Sequence, residues 1–144
     1  MSSGASISSN SGLNIGETFL FGNGAGGSVT VSATGPVTIV DQGSGLFTTT
    51  VGNGAGGNIN LRGSTIQFSN GGSISATSSG MGNAGSITVN AETQFVMMNS
   101  SVTTEAIQSS GGKITIMTNP NGTVQLTDTR LARRSSTGPA EAAA

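Results

Sequence analysis

One phrase recurs along this chain and constrains its fold more than any single residue does. Residues 22–31 read GNGAGGSVTV and residues 52–61 read GNGAGGNINL. A looser copy, GMGNAGSITV, spans 80–89, and a worn one, SSGGKITI, spans 109–116. The anchor residues Val29, Ile59, Ile87 and Ile114 are separated by steps of 30, 28 and 27. A unit of this length repeated along a chain buries its apolar side only against its neighbours, so the repeat sets the architecture. Each copy is a glycine-rich loop that delivers the chain into an alternating apolar/polar strand.

Two further columns keep nearly the same period. Val37, Ile66, Phe95 and Val124 recur at a constant step of 29, and each is followed two positions on by Ile39, Phe68, Met97 or Leu126. Leu46, Ile74, Val102 and Leu131 follow with steps of 28, 28 and 29. Alternation with period 2 turns these columns to one side of their strands. No segment with a 3.6-residue period separates the strands, so crossover helices are excluded. An antiparallel sandwich does not account for three columns sharing one period. The expectation is an all-β, single-stranded parallel β-helix with three strands per coil, a coil step of 28 to 29, and roughly four coils.

A polar column runs alongside. Asp41, Asn70, Asn99 and Asp128 also recur at a step of 29 and lie just past the second strand. They predict a structural Asx ladder, with Asn side chains hydrogen-bonding along the axis as in cross-β stacks. A calcium column is the weaker reading: its two carboxylates are three coil steps apart, about 14 Å, and one cation binds its ligands at roughly 2.4 Å.

The expected domain is a β-helix section over 1–131. Ser6-Ile7-Ser8 resembles Ser73-Ile74-Ser75, a third strand, and residues 10–21 form an inserted loop in this first partial coil. After Leu131 the apolar alternation stops, so 132–144 is expected to be a disordered tail, or a short helix over its end, Ala140 to Ala144. Open strand edges at both ends favour end-to-end self-association and suggest a section of a longer rod.

Composition excludes several function classes. The net charge is −1, which argues against a nucleic-acid partner. The absence of Cys removes disulfides, thiolate metal sites and Cys nucleophiles together. No apolar run is long enough to insert in a membrane, and MSSGASISS carries no signal-peptide pattern. An extracellular location would therefore make this chain part of a longer precursor, or a chain that has lost its export signal.

The stretch STIQFSNGGSISATSSGMGNAGSITVNA, residues 64–91, resembles the repeats of filamentous-haemagglutinin-like large exoproteins of bacteria. Strand, Asn-Gly corner, S-I-S strand, Gly-rich loop and I-T-V strand follow in that family's order. Residues 106–131, with GGKITI and VQLTDTRL, resemble a later coil of the same proteins. The resemblance covers roughly 22–131. It implies a right-handed β-helical rod, secreted or displayed at the cell surface, used for adhesion. It also implies two-partner secretion through an outer-membrane β-barrel transporter, and contact with host or surface glycans. Asn119-Pro120-Asn121-Gly122 matches the NPNG motif of such secretion domains. It sits late in the chain and continues with Thr123 where that family prefers an apolar residue, so a plain turn is the preferred reading.

Other motifs carry less. Three segments match G-x-G-x-x-G: Gly22/Gly24/Gly27, Gly52/Gly54/Gly57 and Gly80/Gly82/Gly85. Each leads into β alternation rather than a helix, which excludes a dinucleotide fingerprint. The glycines are expected to serve tight corners with positive φ. The six acidic residues are Glu17, Asp41, Glu92, Glu105, Asp128 and Glu141, and no two are expected as close lateral neighbours. Arg62 and Glu92 are expected to approach across coils as a surface ion pair. With no His and no Ser-x-x-Lys pattern, no nucleophile is activated. The residues therefore predict a protein without catalytic, metal or cofactor sites, and the resemblance implies an adhesive one. A carbohydrate-binding or carbohydrate-active β-helix is the first alternative. An ice-binding face built on Thr30, Asn60, Thr88 and Thr115 is the second, weakened by the Asn60 interruption.

Overall fold

A computed structural model describes residues 1–11 and 24–135 in full, and the backbone of 13–15, 18–20 and 141–142. It is a parallel β-solenoid of about 4 stacked turns. A partial turn supplies β1 (Ser6–Ser11), and the inserted stretch after it contains β2 (Leu13–Ile15) and β3 (Thr18–Leu20). The first full coil contains β4 (Val29–Ser32), β5 (Val37–Val40) and β6 (Gly45–Thr50). The second contains β7 (Ile59–Ser69) and β8 (Ser73–Ser78), and the third β9 (Ile87–Met98) and β10 (Ser101–Ala106). The last contains β11 (Ile114–Thr118), β12 (Thr123–Thr127) and β13 (Arg130–Ser135).

All three apolar columns stack in the expected register. Val29 pairs with Ile59, Ile59 with Ile87, and Ile87 with Ile114. Val37, Ile66, Phe95 and Val124 form the second column. Ile7, Leu46, Ile74, Val102 and Leu131 form the third. Inner members such as Ile59, Ile66, Ile74, Ile87, Phe95 and Val102 are fully buried. Phe68 and Phe95 pack at 6.1 Å between ring centroids, tilted by 58°, a favourable aromatic arrangement. Ile114 and Leu131 are half-buried and Val124 is exposed, because among the described residues no further coil stacks on the last one.

The three-strand scheme changes in the middle of the stack. In the second and third coils the first and second strands fuse into β7 and β9, with a register shift between Gly63 and Thr65. A bulge bends a strand without ending it. In the outer coils the corresponding corners contain Pro36 and Pro120, which lack the N–H a continuous ladder needs. Those strands stay separate.

Both ends depart from expectation. In the inserted stretch β2 and β3 form a short antiparallel pair. Residue 12, residues 16–17 and residue 21 of that loop lie outside the described residues. The tail does not begin at 132: β13 continues in parallel register with β10 through Ser135, and Ala132 is buried. Glu141–Ala142 then form β14, antiparallel to β13, rather than a helix. The sequence ARRS lacks apolar alternation, but backbone pairing needs none. Residues 136–140 and 143–144 lie outside the described residues.

Met1 was not anticipated. Its ammonium donates to the Thr38 carbonyl at 2.6 Å, and its own carbonyl accepts from Val40 N at 2.8 Å. It therefore adds one step beneath Ile39 and packs against the core.

Candidate functional surfaces

The glycine loops are the most regular feature, and their chemistry is steric. A Cβ on Gly54 would strike the Gly24 carbonyl, one on Gly57 the Gly27 carbonyl, and one on Gly85 the Gly57 carbonyl. The loops stack backbone on backbone, so each of these glycines is required by the coil beneath it. Among the described residues of the three G-x-G-x-x-G segments, only Gly52 has positive φ, at 143°. The corner role expected for these glycines is therefore corrected to close approach, which also demands a missing side chain. Among the described residues none of the three segments opens a helix.

Positive φ belongs to the Asx column instead. Asp41, Asn70, Asn99 and Asp128 have φ of 76°, 53°, 48° and 47°. Asn and Asp tolerate this left-handed region better than other side chains. Asp41 Oδ2 accepts from Ser3 N at 3.1 Å. Along the column the contacts run through the backbone: Gly71 N donates to Asn99 O at 2.7 Å, and Asn99 N to Thr127 O at 3.0 Å. The expected ladder of Asn side chains is replaced by a ladder of left-handed corners. Accordingly, Asn99→Gly should leave stability within a few tenths of a kcal/mol, whereas Asn99→Ala should cost about 1 kcal/mol. Urea unfolding of the two variants checks this, and an equal loss in both would restore the side-chain ladder.

A side-chain ladder does exist, at the junction of loop and first strand. Asn58 Oδ1 accepts from Ser86 N at 2.8 Å, and Ser86 Oγ accepts from Lys113 N at 3.3 Å. Nearby, Asn83 Oδ1 accepts from Ser110 N at 3.3 Å. The signal was available as the polar residue preceding each anchor. The third strand contributes a second set. Thr48 and Thr104 are buried, and their hydroxyls donate to the carbonyls of Gly57 at 2.8 Å and Gly112 at 3.0 Å. Alternation alone places Thr48 and Thr104 inward. Their partners became visible only when the loops were seen to fold against that face.

The surfaces weighed for function are dispersed. Arg62 and Glu92 meet at 3.5 Å, with side chains 63% and 42% exposed, which makes the pair a minor contributor to stability. Thr30, Asn60, Thr88 and Thr115 form one register column with Asn60 interrupting it. The Asn119–Gly122 corner is a turn closed by Gly122 N donating to Asn119 O at 2.7 Å. It borders a shallow cavity of about 380 Å³ that includes Glu92 and Thr93. A second, of about 330 Å³, lies at the Asx corners and includes Asn99, Asp128 and Arg130. Each of these two cavities contains one carboxylate. Among the described residues no three His, Cys, Asp or Glu side chains gather as a metal site. Among those residues, too, no helix is long and apolar enough to cross a membrane. Comparison with family models, with curated proteins and with solved structures finds no match for this chain.

Proposed function

We propose that this chain is a structural and adhesive section of an exported bacterial exoprotein of the filamentous-haemagglutinin-like kind. One observation carries the reading. The family-like order of residues 64–91 is laid out as a single turn: the end of β7, the Asn70–Gly71 corner, β8, the glycine loop and the start of β9. The stretch that resembles the exoprotein repeat is thus one structural repeat. The mechanism is geometric. Stacked loops and inward columns stiffen the rod, and the outward corners present contact surfaces to host or surface glycans. Display at the cell surface, and passage through an outer-membrane β-barrel transporter, belong to the same proposal.

Beads coated with the purified chain test it. Retention on glycan-coated or epithelial surfaces, lost when the chain carries Ile87→Asp, is the expected result. Beads that bind no better than uncoated ones would overturn the adhesive role. Release of reducing sugar from a polysaccharide would favour the carbohydrate-active alternative, and thermal hysteresis the ice-binding one.

A further inference from the structure

We infer that Asn53 is a modification site: the fold leaves it open to loss of ammonia through attack by Gly54 N, while it protects Asn70 and Asn121 from the same reaction. The inference is independent of the adhesive role. It starts from the Asn-Gly pairs of the chain, Asn23–Gly24, Asn53–Gly54, Asn70–Gly71 and Asn121–Gly122. Glycine has no side chain to shield its own nitrogen from the asparagine before it. Every other asparagine is followed by a residue with a side chain, and at Asn119 that residue is Pro120, which offers no N–H at all. Sequence alone therefore nominates these pairs equally. Asn23 lies outside the described residues, and the structure separates the other three.

At Asn70 and Asn121 the attacking nitrogen is already engaged. Gly71 N donates to Asn99 O at 2.7 Å, and Gly122 N donates to Asn119 O at 2.7 Å. Each would have to give up that bond before it could attack. Asn70 is also held at φ 53° by the corner it forms. Asn53 has neither restraint. It is exposed, and among the described residues neither its side chain nor Gly54 N has a hydrogen-bond partner. The other loop amides are tied down: Asn58 Oδ1 accepts from Ser86 N at 2.8 Å, and Asn83 Oδ1 from Ser110 N at 3.3 Å. Gly82 stacks on Gly54, which puts Asn53 one step from Met81, itself 63% exposed, so the site is open to water.

The reaction needs only water and hydroxide. Hydroxide takes the proton of Gly54 N, and the nitrogen attacks Asn53 Cγ. The new N–Cγ bond closes a succinimide, the bond from Cγ to the side-chain nitrogen breaks, and that nitrogen leaves as ammonia with a proton from water, which restores the hydroxide. Water then opens the ring. Opening at Cγ gives aspartate in the ordinary chain, and opening at the main-chain carbonyl leaves Gly54 joined through Cγ as isoaspartate. Nothing is oxidised or reduced. Either product places a carboxylate in the loop GNGAGGN, residues 52–58, which has no charged residue.

Peptide mass spectrometry of the full chain, aged in solution at mildly alkaline pH, tests this site by site. In the folded chain Asn53 should convert about tenfold or more faster than Asn70 and Asn121, the factor set by giving up one hydrogen bond. In heavy-oxygen water the new carboxyl should carry the label. In denaturant Asn53, Asn70 and Asn121 should convert at comparable rates. Asn53→Gln, a change at an exposed side chain, should melt unchanged and lose this product, because its longer side chain would have to close a six-membered ring. Folded Asn53 that converts no faster than Asn70 or Asn121 overturns the inference. So does an equal preference for Asn53 in denaturant, which would make it a property of the local sequence rather than of the loop. Both readings come from the unmodified chain and hold even if Asn53→Gln misfolds.

Discussion

Ile87→Asp unfolds the middle of the solenoid. Ile87 is fully buried and pairs in register with Ile59 on one side and Ile114 on the other. A carboxylate there would lose its hydration among aliphatic side chains with no cation facing it. The interior is narrow, so the side chain has no route to solvent short of separating coils. Uncompensated burial of this kind belongs to the most damaging class of substitutions, at about 4 kcal/mol or more. In a repeat array the loss spreads, because each coil is stable only through its neighbours. The melting midpoint followed by far-UV circular dichroism should fall by roughly 10 °C or more, or the folded signal should vanish. An unchanged melt would mean that the column containing Ile87 does not face inward.

Gly85→Ala should be the second most damaging change. A single methyl at this position meets the Gly57 carbonyl oxygen well inside van der Waals contact, and the obstacle is backbone rather than a side chain that could swing aside. The loop has to lift off the coil beneath it, which would also strain the hydrogen bonds from Gly56 N to Asn83 O, 2.7 Å, and from Ile59 N to Ser86 O, 2.9 Å. The expected cost is about 2–3 kcal/mol. Gly24→Ala is the control, since a Cβ there meets nothing within 4 Å. It should change stability by less than about 0.5 kcal/mol. Chemical denaturation of both variants separates this account from one in which the glycines serve only as flexible hinges. Hinges would make the two substitutions alike.

The apolar columns were legible because their period is set by geometry that every coil shares. Val37, Ile66, Phe95 and Val124 recur in sequence at a step of 29 and pair directly in space. The Arg62–Glu92 contact was legible for the same reason: register brings Arg62 opposite Asn90, within reach of Glu92. Features that depend on the path between columns were not legible. Nothing in RGST, residues 62–65, distinguishes a corner from a bulge, because both tolerate Gly63. The glycine loops were assigned the wrong constraint, since a sequence does not show how close the next backbone lies. The Asx column was found by its period, but its cause was misread: Asn is suited both to side-chain ladders and to left-handed φ, and only φ tells them apart. The ARRS segment hid a strand because its backbone pairs with β10 and β14 while only Ala132 of its four side chains is buried, so few apolar residues are needed. The candidate surfaces were located by register, while no charge cluster or buried polar group singled out one of them.

The solenoid requires each coil to lie in register on the next, and cysteine cross-linking tests that most directly. The chain has no Cys of its own, so introduced pairs form without competition. Ser75 and Thr103 are register partners on the outer face, with hydroxyl oxygens 3.2 Å apart. Adjacent strands lie about 4.8 Å apart, within the range a disulfide spans, about 4.4–6.8 Å between Cα atoms. Phe47 and Thr103 are two steps apart in the same column, about 9.6 Å, which is too far. Under mild oxidation the Ser75→Cys/Thr103→Cys chain should cross-link internally in high yield and retain its β-sheet spectrum, while Phe47→Cys/Thr103→Cys should stay reduced. Equal yields from the two pairs, or a cross-link from the second alone, would contradict the stacked register and with it the solenoid.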